Sequence, residues 1–267
     1  MNRIDRKFQE LKRKQKPAFI PFITAGYPDL QTTMDLILEF EKKGADIIEL
    51  GIPFSDPIAD GPVIQDSYYK ALDKGVKVAQ IFDMVLQLRK ISDIPIVSMV
   101  SYSIVYKSGY QEFVEKACRA GLDGLTIPDL PVEENDEFFE LAKKYNFKLI
   151  CFIAPTTTNE RMSAIIQRSQ GFLYYISVVG ITGVRDALPD DIFQNINKIK
   201  QMTSTPICVG FGVSTPEQVK MIGKLADGVI VGSAIIKEVG KYLNTSPGEL
   251  VKNVSGFVGE LAKGVNI

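Results

Sequence analysis

The chain has 267 residues, 45% apolar and 24% charged, and its 31 Lys plus Arg against 32 Asp plus Glu leave a net charge of −1. That is the usage of a globular chain, and the length suits one large domain or two small ones. The sequence contains no His, which excludes a Ser-His-Asp or Cys-His triad, a His-ligated metal and an imidazole proton shuttle, while the balanced charge argues against a nucleic acid backbone as partner.

From the N-terminus, the basic stretch Arg3 to Lys16 is interleaved with Ile4, Phe8 and Leu11. That spacing predicts one amphipathic helix over 1–16 with a solvated basic face; a nucleic-acid-binding arm is the alternative. The N-terminus is charged, and Lys, Asp or Glu interrupts every long apolar stretch, so neither a secretory nor a transmembrane segment is expected. Next comes a short apolar run, Phe19 to Ile23, then a helical pattern from Thr32 to Lys43 that stops at Gly44. Asp46 to Leu50 is the second run. Ile94 to Val100 is the third, reached through the helical pattern Val78 to Ile91. Gly109 to Arg119, closed by Gly121, leads to Gly124 to Ile127, and Val132 to Tyr145 leads to Lys148 to Ile153. Thr158 to Arg168 precedes Phe172 to Ile176, and Pro189 to Met202 precedes Pro206 to Val209. Thr215 to Ile222 opens with Thr-Pro-Glu, a helix-start signal, and precedes the eighth run, Gly228 to Val231.

Runs this short and this continuously apolar read as buried parallel strands. Eight of them alternating with helices predict an α/β chain, a single (β/α)8 TIM barrel over 1–267 with an extra N-terminal helix packed on it. A doubly wound open sheet is the other candidate, but Ala25-Gly26-Tyr27-Pro28 stands after the first strand where a dinucleotide-binding GxGxxG belongs. The three cysteines, Cys118, Cys151 and Cys208, lie far apart in apolar contexts and read as buried free thiols of a cytoplasmic protein.

In such barrels chemistry sits at the C-terminal strand ends. The second strand ends Ile48-Glu49-Leu50-Gly51, and Ile48 and Leu50 suit packing on helices, which turns Glu49 inward. A carboxylate there is desolvated and becomes a candidate acid/base; from the strand alone, a Glu paired with a cation at the mouth is an equal reading. The following loop, Ile52 to Pro62, carries Asp56 and Asp60 among three prolines, and turn chemistry accounts for Asp56 equally well. Glycines recur after the sixth, seventh and eighth strands: Gly180-Ile181-Thr182-Gly183, Gly210-Phe211-Gly212, and Gly232-Ser233, the last read as a helix start with a Ser N-cap. Backbone N–H groups there approach an anion closely, which predicts a phosphate seat. A Schiff-base aldolase wants a Lys at an inward strand end, and Lys148 begins its strand on the wrong face. No Cys or acid cluster suggests a metal. The residues thus describe a barrel that binds a small phosphorylated substrate and works with carboxylates.

Residues 21–28, Glu49-Leu50-Gly51-Ile52-Pro53-Phe54-Ser55-Asp56-Pro57, Ala59-Asp60-Gly61-Pro62, Pro128-Asp129-Leu130-Pro131, Gly180-Ile181-Thr182-Gly183 and Gly210-Phe211-Gly212 closely resemble the tryptophan synthase alpha chain family, in order along essentially the whole chain. The resemblance implies cleavage of indole-3-glycerol phosphate to indole and glyceraldehyde 3-phosphate in tryptophan synthesis. It implies Glu49 as the acid/base and Asp60 as the carboxylate that meets the indole N–H. Gly183, Gly212, Gly232 and Ser233 match phosphate positions; Phe22, Tyr174, Phe211 and Ile230 match the apolar wall around indole; Thr182 and Gly183 belong to a lid over 177–188. It further implies a beta-chain partner in an alpha2-beta2 tetramer, with pyridoxal phosphate held only by that partner and no cofactor or metal in this chain. A different phosphate-barrel isomerase, a free-standing indole-releasing lyase and a non-catalytic activating subunit are the rival functions. Three departures stand out: Ser101-Tyr102-Ser103-Ile104-Val105 where the family has a Tyr-x-Asn stretch, Thr126 in place of an apolar pocket residue, and Val178 where Arg is common.

Overall fold

A computed structural model describes residues 1–176, 190–210 and 212–266. The first half of the chain contains α1 (Arg3–Arg13), β1 (Ala18–Thr24), α2 (Leu30–Lys42), β2 (Ile48–Gly51), α3 (Pro62–Asp73), α4 (Val78–Leu88), β3 (Ile96–Met99), α5 (Tyr102–Ser108), α6 (Tyr110–Ala120) and β4 (Gly124–Thr126). The second half contains α7 (Asp136–Lys144), β5 (Lys148–Ile150), β6 (Phe152–Ile153), α8 (Asn159–Arg168), β7 (Leu173–Ile176), α9 (Asp190–Met202), β8 (Ile207–Gly210), α10 (Pro216–Gly223), β9 (Gly228–Val231), α11 (Ser233–Lys241) and α12 (Pro247–Ala262).

Every strand pair is parallel, in the order β5-β4-β3-β2-β1-β9-β8-β7-β6. The two ends of that order, β5 and β6, are successive pieces of one strand divided at Cys151. Its first piece pairs with β4 and its second with β7. At the division the Cys151 N–H is taken by Ser169 Oγ at 3.1 Å, while its carbonyl accepts the Tyr174 N–H at 3.0 Å. The sheet therefore closes through 148–153, and the eight strand runs of the sequence make the expected barrel.

Alternation sorts the strand residues into two cores. Ala18, Ile20, Ile47, Val97, Ile150, Phe172, Cys208 and Ile230 fill the barrel interior together with Ile4, Phe8 and Leu11 of α1. Residues of the other parity, such as Ile48, Leu50, Ile96 and Leu125, pack under the surrounding helices. The N-terminal helix is thus a plug at the N-terminal ends of the strands, its three apolar side chains each contributing about 1.5–3 kcal/mol by leaving water.

Several expectations change in detail. The first helix ends at Arg13 because Gln15 turns left-handed at φ +53°. Its basic face is only partly solvated: Lys16 and Lys7 reach Asp46, and Arg3 reaches Asp93 and Asp123. The helix expected over Val132 to Tyr145 is a 3-10 turn, Val132–Glu134, and then α7, separated at Asn135, whose buried side chain turns toward Cys151 Sγ. Lys148 shares the parity of Ile150 and pairs with Asp5 of α1 at 2.7 Å, so it sits at the wrong end of the barrel rather than on the wrong face. Cys151 and Cys208 are buried, whereas Cys118 is only partly so. Among the described residues no helix is long and apolar enough to cross a membrane.

The base of the barrel is tied by one buried carboxylate. Asp123, just before β4, accepts from Arg89 Nη2 at 3.1 Å, Arg3 Nη1 at 3.0 Å and the Ile96 N–H at 2.9 Å. The Arg89 side chain is only 8% exposed. Replacing Asp123 by Ala leaves this guanidinium its carbonyl acceptors, Gly121 O and Ile94 O, but removes its hydrogen-bonded carboxylate, and is expected to cost about 3–5 kcal/mol in urea unfolding. Asp93→Ala, which removes a partner of Arg3 that is 75% exposed, is expected to stay within about 0.5 kcal/mol.

Candidate active site

The parity that places Ile47 in the interior core also turns Glu49 inward, near the C-terminal mouth, where it is only 3% exposed. Its register neighbour on β1 is Phe22, itself buried. Glu49 Oε2 accepts a long hydrogen bond from the Tyr174 hydroxyl of β7 at 3.4 Å, while Oε1 has no hydrogen-bond partner. Burial first, and the neighbouring Asp60 carboxylate second, push the Glu49 carboxyl up to about 8; the Tyr174 and Thr126 hydroxyls oppose the shift. Among the described residues no cation contributes to these influences, and none there forms an ion pair with Glu49.

Asp60 arrives from the loop between β2 and α3. Three prolines restrict this loop, and its end is fastened to α3: the Asp60 N–H donates to Pro57 O at 3.0 Å, and Gln65 Nε2 donates to Asp60 O at 2.8 Å. Asp60 is half-buried, and its carboxyl is raised to about 6 by desolvation and then by Asp129. Asp56 is exposed and does turn work, accepting from Ser55 Oγ and, through its carbonyl, from the Ile58 N–H. Asp129 caps α5, accepting from Ser101 Oγ and the Tyr102 N–H, each at 2.7 Å.

Two glycines are dictated by the aromatic walls. A Cβ on Gly51 would lie 2.5 Å from Phe22 Cζ and 2.8 Å from the Tyr68 hydroxyl; one on Gly210 would lie 2.7 Å from the Tyr174 hydroxyl. Tyr68 is buried on α3, next to Ser67, whose hydroxyl pairs with that of Thr24 at 2.6 Å, and faces both Asp60 and Glu49. Its place on the buried stripe of α3 is readable from spacing; its proximity to the carboxyls is not. Phe152, whose ring is 4.8 Å from that of Tyr174, is a second wall residue that the sequence did not single out. Ile230 lies in the interior core against which Tyr174 packs.

The glycine side of the mouth is partly described. Gly212 adopts φ +63° and is exposed, and Gly232 ends β9 beside Phe22, with an added Cβ 3.5 Å from Phe22 Cβ. They stand two residues beyond Gly210 and Ile230, which pair in register, so both leave adjacent strand ends. Gly232, not Ser233, is the N-cap of α11, and Ser233 is its first residue. An α-helix leaves its first N–H groups without intrahelical partners, so the reading of an anion seat survives the change of cap. Thr182, Gly183, the lid over 177–188 and Phe211 lie outside the described residues. Among the described residues no group of three or more Cys, Asp or Glu is arranged to hold a metal ion.

This arrangement brings two carboxyls of unequal burial to the mouth, both shifted upward and Glu49 the more strongly, against aromatic walls. A family model described as tryptophan synthase alpha chain matches residues 8–266. The tryptophan synthase alpha chain of Caldanaerobacter subterraneus subsp. tengcongensis is 47% identical over 258 residues, covering 97% of each chain. A crystal structure of tryptophan synthase subunit alpha from Legionella pneumophila superposes with a TM-score of 0.91 at 35% identity, covering 100% of this chain and 99% of that one. A structure from Pyrococcus furiosus, described as the tryptophan synthase a2b2 complex, gives 0.86 at 38% identity, covering 93% and 99%. With a closed barrel, a buried Glu at the second strand end and a match along nearly its full length, the chain belongs to the tryptophan synthase alpha chain family.

Proposed function

We propose that Glu49 and Asp60 are the pair with which this chain, a carbon–carbon lyase of tryptophan biosynthesis, cleaves indole-3-glycerol phosphate to indole and glyceraldehyde 3-phosphate. The observation that carries the assignment is the placement of the two carboxyls: Glu49, 3% exposed on the inner face at the mouth with Oε1 unpaired, and Asp60, half-buried on the adjoining loop, both shifted upward by burial. The neutral Glu49 donates its proton to indole C3, which turns the ring into an indoleninium cation. The ionised Asp60 beside N1 stabilises that positive charge. Glu49, now a carboxylate, takes the proton of the glyceryl hydroxyl; the C–C bond breaks, its electron pair returns to the ring, and the aldehyde leaves. Glu49 ends protonated, as it began. The electron sink is the substrate's own ring, which accounts for an active site without His or an amine at the mouth. Phe22, Tyr174 and Ile230 hold the indole, and the N–H groups at Gly212, Gly232 and Ser233 hold the phosphate; Thr182, Gly183 and Phe211 complete these sets.

The partner in this reading is a beta chain that receives indole and holds pyridoxal phosphate, in an alpha2-beta2 assembly. Ile58, 88% exposed at the tip of the loop after β2, and Tyr106, 68% exposed on α5, offer it apolar surface. The buried thiols of Cys151 and Cys208, raised by burial, suit a reducing cytoplasm.

Glu49→Gln is expected to lower the rate of cleavage by ~10²–10⁴-fold while leaving glycerol phosphate affinity unchanged. Asp60→Asn, which keeps the shape and loses the charge, should cost roughly 10²-fold. Full turnover by the Gln variant in an indole-release assay would overturn the assignment. The pH profile of kcat/KM should be bell-shaped, rising as Asp60 ionises near 6 and falling as Glu49 loses its proton near 8. A profile flat between 5 and 9 contradicts it. Ile58→Asp should weaken stimulation by an added beta chain about tenfold, as the loss of a buried apolar anchor does, without altering the basal indole release of the isolated chain.

A further inference from the structure

We propose that Thr126 is a positioning residue for Glu49, its hydroxyl being the second of two donors that hold the carboxyl in place for proton transfer. This rests on the reading of Glu49 as the acid/base. Among the described residues only three buried side-chain polar atoms lack a hydrogen-bond partner: Glu49 Oε1, Thr126 Oγ1 and Asn135 Oδ1. Asn135 lies outside the barrel beside Cys151. The other two are both on the inner face at the mouth. Glu49 is level with Val97 and Gly124, and Thr126 stands on β4 two residues beyond Gly124, one inward layer higher.

A buried hydroxyl and a buried carboxyl oxygen are each costly to leave unpaired, and a hydrogen bond between these two satisfies both. Tyr174 then holds Oε2 and Thr126 holds Oε1, which leaves the carboxyl a single orientation toward a substrate seated between Phe22 and Tyr174. The groups facing Glu49 are Asp60 from the loop, Tyr68 from α3, Tyr174 from β7 and Cys208 from β8, with Thr126 from β4. Of these only the Tyr174 and Thr126 hydroxyls favour its ionised form. Thr126 exchanges no proton with the substrate; it donates to Glu49 during the interval in which Glu49 has given its proton to C3 and has not yet taken one from the glyceryl hydroxyl.

The test compares Thr126→Val, which keeps the shape and removes the hydroxyl, with Thr126→Ser, which restores it. Protonation of Glu49 is followed in the full chain by the infrared carboxyl stretch, identified as the band that Glu49→Gln abolishes. Thr126→Val is expected to move the Glu49 midpoint upward by about one pH unit, the effect of one charge-assisted hydrogen bond, and Thr126→Ser to return it. The kcat for cleavage should fall about three- to tenfold in the Val variant with KM little changed, and recover with Ser. An unshifted midpoint in Thr126→Val overturns the proposal, as does a Ser variant indistinguishable from Val. If Thr126→Val does not fold, Thr126→Ala is read by the same criteria. Failure of the wild-type chain to cleave indole-3-glycerol phosphate would strike the proposed function instead, while the infrared midpoint still reports whether Thr126 holds Glu49.

Discussion

A carboxyl group enclosed by a barrel wall, with aromatic rings beside it, is held neutral above its ordinary range, because ionisation there forfeits hydration that two hydroxyls only partly replace. Glu49 is in that position, and much of the molecule contributes to keeping it so. Strand parity aims it inward, closure of the sheet through the divided strand 148–153 surrounds it, and α1 seals the base with Ile4, Phe8 and Leu11. Asp60 comes from a loop at the rim and keeps part of its hydration, so its shift is smaller. The proposed chemistry uses this difference in desolvation between two like groups.

The two ends of the barrel use charge in opposite ways. At the N-terminal ends of the strands, carboxylates are paired: Asp123 with Arg89 and Arg3, Asp46 with Lys16, and Asp5 with Lys148. At the mouth, Glu49 meets hydroxyls, and Asp60 meets the further carboxylate of Asp129. Cohesion is thus concentrated where no reaction occurs, and the unpaired, perturbed groups are concentrated where the loops open, the division of labour that parallel barrels share. The glycines follow the same logic. Gly51 and Gly210 make room for Phe22, Tyr68 and Tyr174, so the rings pack against backbone and present their faces to the cavity.

Much of this was legible in the residues because it depends on periodicity. The eight strand runs follow from short continuous apolar stretches set between helical patterns, the inward aim of Glu49 from alternation within one of them, and helix starts such as Thr215-Pro216-Glu217 carry their own signal. What was misread depends on spatial neighbours that periodicity does not contain. Lys148 looked outward until its partner, Asp5 of the plug helix, was known. The segment from Val132 to Tyr145 looked like one helix until Asn135 was seen turning to Cys151. Ser233 looked like a cap until the backbone of Gly232 took that place. The helices at Pro62–Asp73 and Pro247–Ala262 were not singled out at all, the first because its proline-bounded start continues a loop rich in turn residues.

By itself the sequence determined the fold class, the absence of any imidazole, and the presence of two carboxylates and a series of glycines at strand ends, since these are properties of composition and spacing. Only the tertiary structure decided how differently the two carboxyls are buried. Glu49 and Asp60 are eleven residues apart and chemically alike, and what separates them is how completely each is removed from water and what faces it once there: Phe22, Tyr174 and Thr126 for one, a partly open rim for the other. Desolvation is a property of the assembled surroundings, contributed by strands and helices far apart in the chain.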